Sequence, residues 1–306
     1  MPVRSLLSYA LEVPDLEAGR RFYTTFGLLD QPRGNSLAFR CLGRDQDQVH
    51  LLEGSRKKLS HLRFGASEAD IKDIRARLAE RGLREIDPPS AEFAGGIWFR
   101  DPDGNAVNVR PEAAKPARSG PLAHFNSPGH YERVGAPGCP PKPKGPVRPY
   151  RLGHVLLFTP RLDGMIGFYS DVLGMKLSDR CGPIIAFMHV AGGGDHHVVA
   201  LLSDERSGFH HASFEVGSID EIGLGAVNVL SAGYRDGWGF GRHVIGSNFF
   251  HYVRDPWGSL AEYFWDIDQI PADGSWRPTD YPNEDALYRW GPAAPADFGV
   301  NFEARG

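Results

Sequence analysis

Glu262 is the residue of this sequence whose surroundings point most directly to chemistry. It is flanked by four apolar residues, Leu260, Ala261, Tyr263 and Phe264. Residues 243–264 have the pattern of two strands joined by a turn at 255–258, so Glu262 falls within an apolar strand. An unpaired carboxylate there would be costly to desolvate unless a cation met it. The segment therefore indicates a metal ligand.

An internal repeat supplies the elements that would position such a ligand. Three blocks of the chain recur in the same order, with the same succession of strands, helices and turns. The paired blocks are residues 6–29 with 152–175, 61–85 with 211–236, and 99–109 with 253–264. Within each copy a strand–helix–strands unit itself occurs twice. The sequence therefore predicts an α+β fold of four such units in two tandem modules.

The two copies differ at the positions that matter for a metal. Two histidines and one carboxylate bind a divalent transition metal while leaving coordination positions open. The second copy has this set at His154, His211 and Glu262. The corresponding positions of the first copy are Ser8, His61 and Asn108. Any one of these residues alone is open to a structural interpretation, as a satisfied polar group, but three in matching positions favour a metal site in the second copy.

The remaining sequence divides around these modules. The first module is expected to span 1–112 and the second 150–266. Residues 113–149 are rich in Pro and Gly, which is typical of a linker. Residues 267–306 form a tail dense in Pro, Trp and Tyr, and we expect it to pack over a module because such aromatic side chains are usually buried.

Composition narrows the class of protein. The formal net charge is -4, with acids and bases interspersed, so neither nucleic acid nor a membrane surface is an expected partner. The three cysteines, Cys41, Cys139 and Cys181, lack the spacing of a disulfide framework or a thiolate metal site, which favours a reducing cytoplasm. The N-terminal residues lack the apolar segment and cleavage pattern of a signal peptide, and no apolar run is long enough to span a membrane, so we expect a protein that is not exported. Small-molecule chemistry is the default expectation.

Five motifs of the second copy together resemble a known family. They are GHV at 153–155, HHVVAL at 196–201, HHASFEV at 210–216, GRH at 241–243 and HYVRDPWGSLAE at 251–262. This ordered set resembles type I extradiol ring-cleaving catechol dioxygenases of the vicinal oxygen chelate superfamily. The resemblance implies four βαβββ units in two domains, each a curved mixed sheet that encloses a funnel. It also implies that only the C-terminal domain holds the metal.

The resemblance assigns roles to six residues. It implies that His154, His211 and Glu262 are the metal ligands and that Fe(II), or else Mn(II), is the metal. It places the family's acid–base histidine at His197, with His196 as the alternative one position away. The histidine and tyrosine that contact substrate fall on His243 and Tyr252. Where many relatives have a further polar residue or histidine after His243, this chain has residues 246–248, Gly-Ser-Asn.

The function implied is insertion of both atoms of O2 into a catechol-type ring with ring opening, in aromatic catabolism. The partners expected are the diol, O2 and further copies of the chain in a homo-oligomer. Two alternatives stay open: a non-oxidative isomerase, hydrolase or lyase of the same superfamily, and a protein that binds an aromatic ligand without turnover. His189, His210 and His251 are interpreted as packing or surface histidines, since none occupies a position matched between the copies.

Overall fold

The computed structural model describes residues 2–120, 122–139 and 145–305. The first half contains seven strands, two helices and a short 3-10 helix at Ala91–Phe93. In chain order these are β1 (Ser5–Val13), α1 (Leu16–Phe26), β2 (Leu29–Arg33), β3 (Ser36–Arg40), β4 (Val49–Glu53), β5 (Lys58–Gly65), α2 (Glu68–Glu80), β6 (Ile97–Arg100) and β7 (Ala106–Arg110). A small hairpin of β8 (Asn126–Ser127) and β9 (His130–Tyr131) follows.

The second half repeats the plan and ends in the tail. Its elements are β10 (Arg151–Thr159), α3 (Leu162–Asp171), β11 (Lys176–Cys181), β12 (Ile185–His189), β13 (Gly194–Asp195), β14 (Val199–Ser203), β15 (Gly208–Glu215), α4 (Ile219–Ser231), β16 (Asp236–Arg242), β17 (Phe249–Arg254) and β18 (Leu260–Trp265). The tail adds β19 (Gln269–Ile270), α5 (Asn283–Ala286) and a 3-10 turn at Glu303–Arg305.

Local signals explain where the helices begin and end. Asp15 caps α1 by accepting a hydrogen bond from the Ala18 N–H at 2.9 Å. Gly27 follows α1 at φ +111°, a left-handed conformation that favours glycine. In the second copy, Gly174 follows α3 at φ +69°. The chain therefore leaves each of these helices at or shortly before a glycine and returns to the next strand.

Each copy forms one mixed sheet, and the predicted α+β fold is confirmed. The strand orders are β2-β3-β4-β1-β5-β7-β6 and β11-β12-β14-β10-β15-β18-β17-β16. At the centre of each sheet, β1 pairs antiparallel with β5 and β10 with β15. These strands also have parallel partners, β4 and β7 in the first sheet and β14 and β18 in the second.

The second unit departs from the βαβββ plan, because only two strands, β6 and β7, follow α2. The segment at 84–96 takes the place of a strand and contains Pro88 and Pro89, which have no N–H to donate to a sheet ladder. Only the 3-10 turn at Ala91–Phe93 forms there. The first sheet therefore lacks a counterpart of β16, the strand that leads to His243 in the second.

The two modules share a continuous hydrophobic core. Phe26 of α1 stacks on Tyr263 of β18 with ring centroids 4.0 Å apart, and the Tyr263 hydroxyl donates to the Phe26 carbonyl at 2.6 Å. Buried apolar residues run without a break from the first sheet to the second. The first module therefore supports the back of the strand that carries Glu262.

The tail lies mainly along the second module and contacts the first near its end. Its strand β19 pairs with β13, and the Trp276 indole donates to the Ser178 carbonyl at 2.9 Å. Near the C-terminus, the Glu303 carboxylate accepts the N–H groups of Leu59 and Phe209, each at 3.0 Å. The boundaries at 112, 149 and 266 remain predictions, and residues 121 and 140–144 of the linker lie outside the described residues. Across the described part of the chain, no helix is both long and apolar enough to cross a membrane.

Candidate active site

Strand register places the three expected metal ligands on one face of the second sheet. His154 pairs with Ser213 across β10 and β15, and Ser213 pairs with Glu262 across β15 and β18. His211 is two positions from Ser213, on the same side of β15. Since directly paired residues and residues two apart share a face, all three side chains project to the same side.

The ligand atoms form a nearly equilateral triangle. His154 Nε2 and His211 Nε2 are 3.4 Å apart, and Glu262 Oε2 lies 3.3 Å from the first and 3.5 Å from the second. All three side chains are buried, and Glu262 is 0% exposed. Among the described residues, this is the one group of three or more His, Cys, Asp or Glu side chains arranged to hold a metal ion.

The hydrogen bonds of Glu262 show that the triangle fits a cation. Oε1 accepts a hydrogen bond from Asn248 at 3.3 Å, whereas Oε2, the atom facing both histidines, has no hydrogen-bond partner. A buried carboxylate oxygen without a donor is costly. A divalent ion among these three atoms would satisfy it and would use the lone pairs of both imidazoles.

A cavity of about 320 Å³ opens onto this triangle. Around the histidines its wall is mainly apolar and includes Leu156, Ile185, Phe187, Ala200, Leu202 and Ile245. The tail closes part of the cavity with Ala286, Leu287, Pro295 and Phe298. Among the described residues that line it, none is Lys, Arg, Asp or Glu.

The structure distinguishes the two candidates for the acid–base histidine. His197 lines the cavity, and its ring centroid is 4.2 Å from that of His154. His196 is fully buried behind it, with Nδ1 3.0 Å from His197 Nδ1. His197 is therefore the member of the pair that a bound molecule can reach.

His243 and Tyr252 form a hydrogen-bonded pair at the edge of the triangle. Tyr252 of β17 pairs in register with Glu262 of β18, so the two share a face. His243 follows β16, and its Nδ1–H donates to the Leu287 carbonyl of the tail at 2.8 Å. Its Nε2 is thus an acceptor, and the Tyr252 hydroxyl donates to it at 2.9 Å.

Burial favours the uncharged forms of the histidine and tyrosine side chains around the triangle. It lowers the pKa of His197 and of His211 well below the usual value, and the positive charge that nearby histidines would carry adds to the effect. Burial also lowers the pKa of His243, although the Glu262 carboxylate opposes this shift. It raises the pKa of Tyr252 well above the usual value, with Glu262 adding to the shift. Neutral imidazoles have the lone pairs that a metal ligand or a general base needs.

Sequence reasoning missed two residues that support the site. Asn248, from the segment 246–248, bonds Glu262 with its amide nitrogen, and its buried Oδ1 is unpartnered at the cavity wall. His210, interpreted from the sequence as a packing residue, lies between His211 and the tail. Its Nε2–H donates to the Phe298 carbonyl at 2.8 Å and its Nδ1 lies 2.6 Å from His211 Nδ1. For His210, the available signal was its place in the His-His doublet at 210–211.

In the first module, other protein groups contact the residues at the corresponding positions. Asn108 donates to the Gly95 and Ile97 carbonyls, each at 3.0 Å. The ring of Phe93 packs edge-on against His61 with centroids 4.6 Å apart. The segment that replaces a strand after α2 thus supplies one carbonyl partner of Asn108, that of Gly95, and a ring beside His61.

Comparison with known proteins places this fold and site in a family. Residues 5–109 and 151–263 match the Glyoxalase/Bleomycin resistance protein/Dioxygenase superfamily. The chain belongs to this superfamily.

The chain is 43% identical to Metapyrocatechase 2 of Cupriavidus necator, over 99% of its own length and 93% of that protein. It is 26% identical to an iron-dependent extradiol dioxygenase of Rhodococcus jostii, over 99% and 100% of the two chains. Among solved structures, a Mn(II)-bound glyoxalase from Novosphingobium aromaticivorans superposes with a TM-score of 0.78 at 25% identity, covering 96% of this chain and 93% of that one. The resemblance to extradiol catechol dioxygenases inferred from the motifs is confirmed.

Proposed function

We propose that this protein is an extradiol dioxygenase that inserts both atoms of O2 into a catechol-type ring and opens it. The observation that carries the proposal is the triangle of His154, His211 and Glu262 at the end of an apolar cavity. Similarity over nearly the full chain to a metapyrocatechase and to an extradiol dioxygenase supports it.

Fe(II) is the metal we propose for the triangle, held by His154, His211 and Glu262. Two histidines and one carboxylate with open positions are typical of non-haem Fe(II) oxygenases, and the relative from Rhodococcus jostii is iron-dependent. Mn(II) is the proposed substitute. When bound, such an ion supplies a chelate for both diol oxygens and a path for electrons between the ring and O2.

The side chains around the triangle can transfer protons to and from a bound diol and can hydrogen-bond its oxygens. His197 is neutral and faces the cavity, so it can take a proton from a bound diol and return it to an oxygen atom as the ring opens. The Tyr252 hydroxyl, backed by His243, can hydrogen-bond a diol oxygen and so stabilise its anion. The apolar wall excludes water, which strengthens these polar contacts.

The cavity wall favours catechols with an apolar substituent or none. About 320 Å³ is enough for a single substituted ring, at the small end of the range of ligand pockets. A charged substituent would be desolvated against Ile185, Leu202 or Phe298 without a partner. We therefore propose catechol and neutral alkyl-substituted catechols as the substrate class.

Oxygen uptake tests the proposal. The full-length protein is prepared metal-free, reconstituted anaerobically with Fe(II), Mn(II) or Zn(II), and given O2 with a panel of catechols. Uptake of one O2 per diol and formation of a yellow ring-fission product with Fe(II) or Mn(II), but not with Zn(II), is the expected result. Absence of O2 uptake with every diol would refute the proposal.

A non-oxidative enzyme of the same superfamily is the second candidate, and the fold similarity to a Mn(II)-bound glyoxalase is the observation that favours it. Such an enzyme would turn over with redox-inert Zn(II) or Mg(II) and would consume no O2. A protein that only binds an aromatic ligand is the third and weaker candidate. Such a protein has no catalytic step for His197 to perform, so His197→Ala should alter no turnover.

We also propose that the protein works in the cytoplasm as a homo-oligomer. Cys41 and Cys181 are buried free thiols, which is compatible with a reducing compartment. In the linker, Leu122 and Val134 are 83% and 85% exposed, and we expect a second copy of the chain to cover these side chains. Size-exclusion chromatography with light scattering should give a mass above the 33.7 kDa of one chain.

A further inference from the structure

Three buried polar side chains stand in a row behind the cavity. His197 contacts His196 through their Nδ1 atoms, 3.0 Å apart. On the far side of its ring, His196 Nε2 lies 2.8 Å from Asp179 Oδ2. Asp179 is 3% exposed and His196 is 0% exposed. The row therefore connects the histidine at the cavity wall to a carboxylate that no substrate can reach.

The hydrogen bonds assign the protons of the row when His196 is neutral. Asp179 accepts at both oxygens, since Oδ1 takes the Thr279 N–H at 2.7 Å and Oδ2 faces His196 Nε2. His196 Nε2 must therefore carry the proton. A neutral imidazole has a single N–H, so His196 Nδ1 is an acceptor and His197 Nδ1–H is the donor to it. His197 Nε2 is left with a lone pair for a molecule in the cavity.

We propose that Asp179 and His196 are positioning residues for His197, holding it in the tautomer whose Nε2 can accept a proton from a bound catechol. When Nε2 takes that proton, the imidazolium so formed donates through Nδ1 to His196, which donates through Nε2 to the Asp179 carboxylate. No net proton leaves the row. The inference rests on the proposed extradiol reaction and names the groups that set up its base.

The tail and a neighbouring strand hold the row in place. The His196 N–H donates to the Asp268 carbonyl at 2.8 Å, and the Ser178 hydroxyl donates to the His196 carbonyl. The rings of Trp276 and Phe187 flank the His196 imidazole, with centroids 5.5 and 6.0 Å away. Two of these contacts, at 268 and 276, come from the tail, as does the Thr279 N–H that Asp179 accepts. The tail therefore helps to determine which nitrogen of His197 carries the proton.

A different protonation state makes an opposite prediction. If His196 carried two protons as a simple ion-pair partner of Asp179, its Nδ1–H would donate to His197 Nδ1. His197 would then carry its proton on Nε2 and would present a donor, not a base, to the cavity. The two arrangements share the same heavy-atom positions and differ only in the protons.

Nitrogen-15 NMR of the full-length, metal-free protein distinguishes them. Two-bond 1H–15N correlations on histidine-labelled protein should show His196 protonated on Nε2 and His197 on Nδ1. In Asp179→Asn the amide can donate to His196 Nε2, so both tautomers should reverse. In Asp179→Glu they should be retained. Protonation of His197 on Nε2 in the wild-type protein would overturn the proposal.

Kinetics of the metal-loaded enzyme provide the second test. Asp179→Asn and His196→Gln should each lower kcat by about 100-fold or more, the range of general acid–base catalysis, with KM for catechol nearly unchanged. Asp171→Asn, which removes an exposed ion pair with Arg81, is the matched control and should leave kcat unaltered. If folded, metal-replete Asp179→Asn keeps kcat within about threefold of wild type, the positioning role of Asp179 and His196 is refuted.

The two hypotheses fail in different ways. If the wild-type protein shows no O2 uptake, the proposed reaction fails while the NMR experiment still decides the proton positions. If the wild-type protein takes up O2 normally and Asp179→Asn is fully active, only the proposed positioning role of Asp179 and His196 fails. Should Asp179→Asn not fold, the tautomers of the wild-type protein and the kinetics of His196→Gln decide.

Discussion

Replacing Glu262 with glutamine should change stability in opposite directions with and without metal. The carboxylate is 0% exposed, and Oε2 has no hydrogen-bond donor. Without metal, a buried charge with one long bond to Asn248 is destabilising by several kcal/mol in general, and the neutral amide removes that penalty. We expect metal-free Glu262→Gln to gain on the order of 1–3 kcal/mol over metal-free wild type, a rise of roughly 2–6 °C in Tm.

The metal-loaded protein should respond in the opposite sense. Residues that merely orient a metal ligand alter affinity by about 10–100-fold, so loss of a direct ligand should weaken binding by at least about 100-fold, or about 2.7 kcal/mol. Added Fe(II) or Mn(II) should then raise the Tm of wild type and leave that of Glu262→Gln nearly unchanged. Scanning calorimetry with metal analysis measures both effects.

A matched control separates the metal site from a general effect of the substitution. Glu215→Gln lies on the neighbouring strand β15 and removes an ion pair with Arg151 instead of a ligand. It should keep full metal content and should not stabilise the metal-free protein. If Glu262→Gln retains one metal per chain with wild-type affinity, or destabilises the metal-free protein, the assignment of Glu262 is wrong.

Three further outcomes follow from the site and the fold. His197→Ala should still bind catechol anaerobically while ring cleavage falls by about 10²–10⁴-fold, and equal losses of binding and cleavage would contradict its role as the acid–base residue. A catechol with a carboxylate substituent should have kcat/KM at least about 100-fold below that of an alkylcatechol, because no cationic side chain lines the described cavity; comparable values would contradict this. Burial raises the pKa of Asp255 to about 6 from an ordinary 3.8. Between pH 3.8 and 6 the folded protein therefore holds a proton on Asp255 that the unfolded chain releases, and the contribution of Asp255 to the free energy of unfolding falls as the pH rises through this range. Urea unfolding at pH 4.5 and pH 7 should therefore show Asp255→Asn gaining on wild type as the pH rises, whereas a constant difference would contradict the raised pKa.

The duplicated blocks made much of the fold predictable from the sequence. Apolar strands, the glycines that follow α1 and α3, and the Asp-Pro-x-Gly turns at 101–104 and 255–258 recur at matching places, and this pattern is set by local chemistry. Register then follows, because a slip of one residue would turn Glu262 out of the funnel. The missing strand of the second unit could also have been anticipated from Pro88-Pro89, although the repeat suggested otherwise.

The supporting contacts could not be predicted because they join parts of the chain that share no pattern. The tail has little periodicity, yet its backbone at Thr279, Leu287 and Phe298 bonds Asp179, His243 and His210. Backbone donors and acceptors carry no residue-type signal. For the same reason the sequence left His196 and His197 as alternatives, whereas the structure gives them different places, one behind the other.

The most direct test of the central claim is the fate of isotopic oxygen. Fe(II)-loaded protein is mixed with an alkylcatechol under 18O2, and the ring-opened product is analysed at once by mass spectrometry. We predict that the product contains both atoms of one O2 molecule, with Glu262→Gln giving no labelled product. A turnover product without 18O, formed equally well under nitrogen, would contradict the dioxygenase assignment and favour a non-oxidative enzyme of the same superfamily.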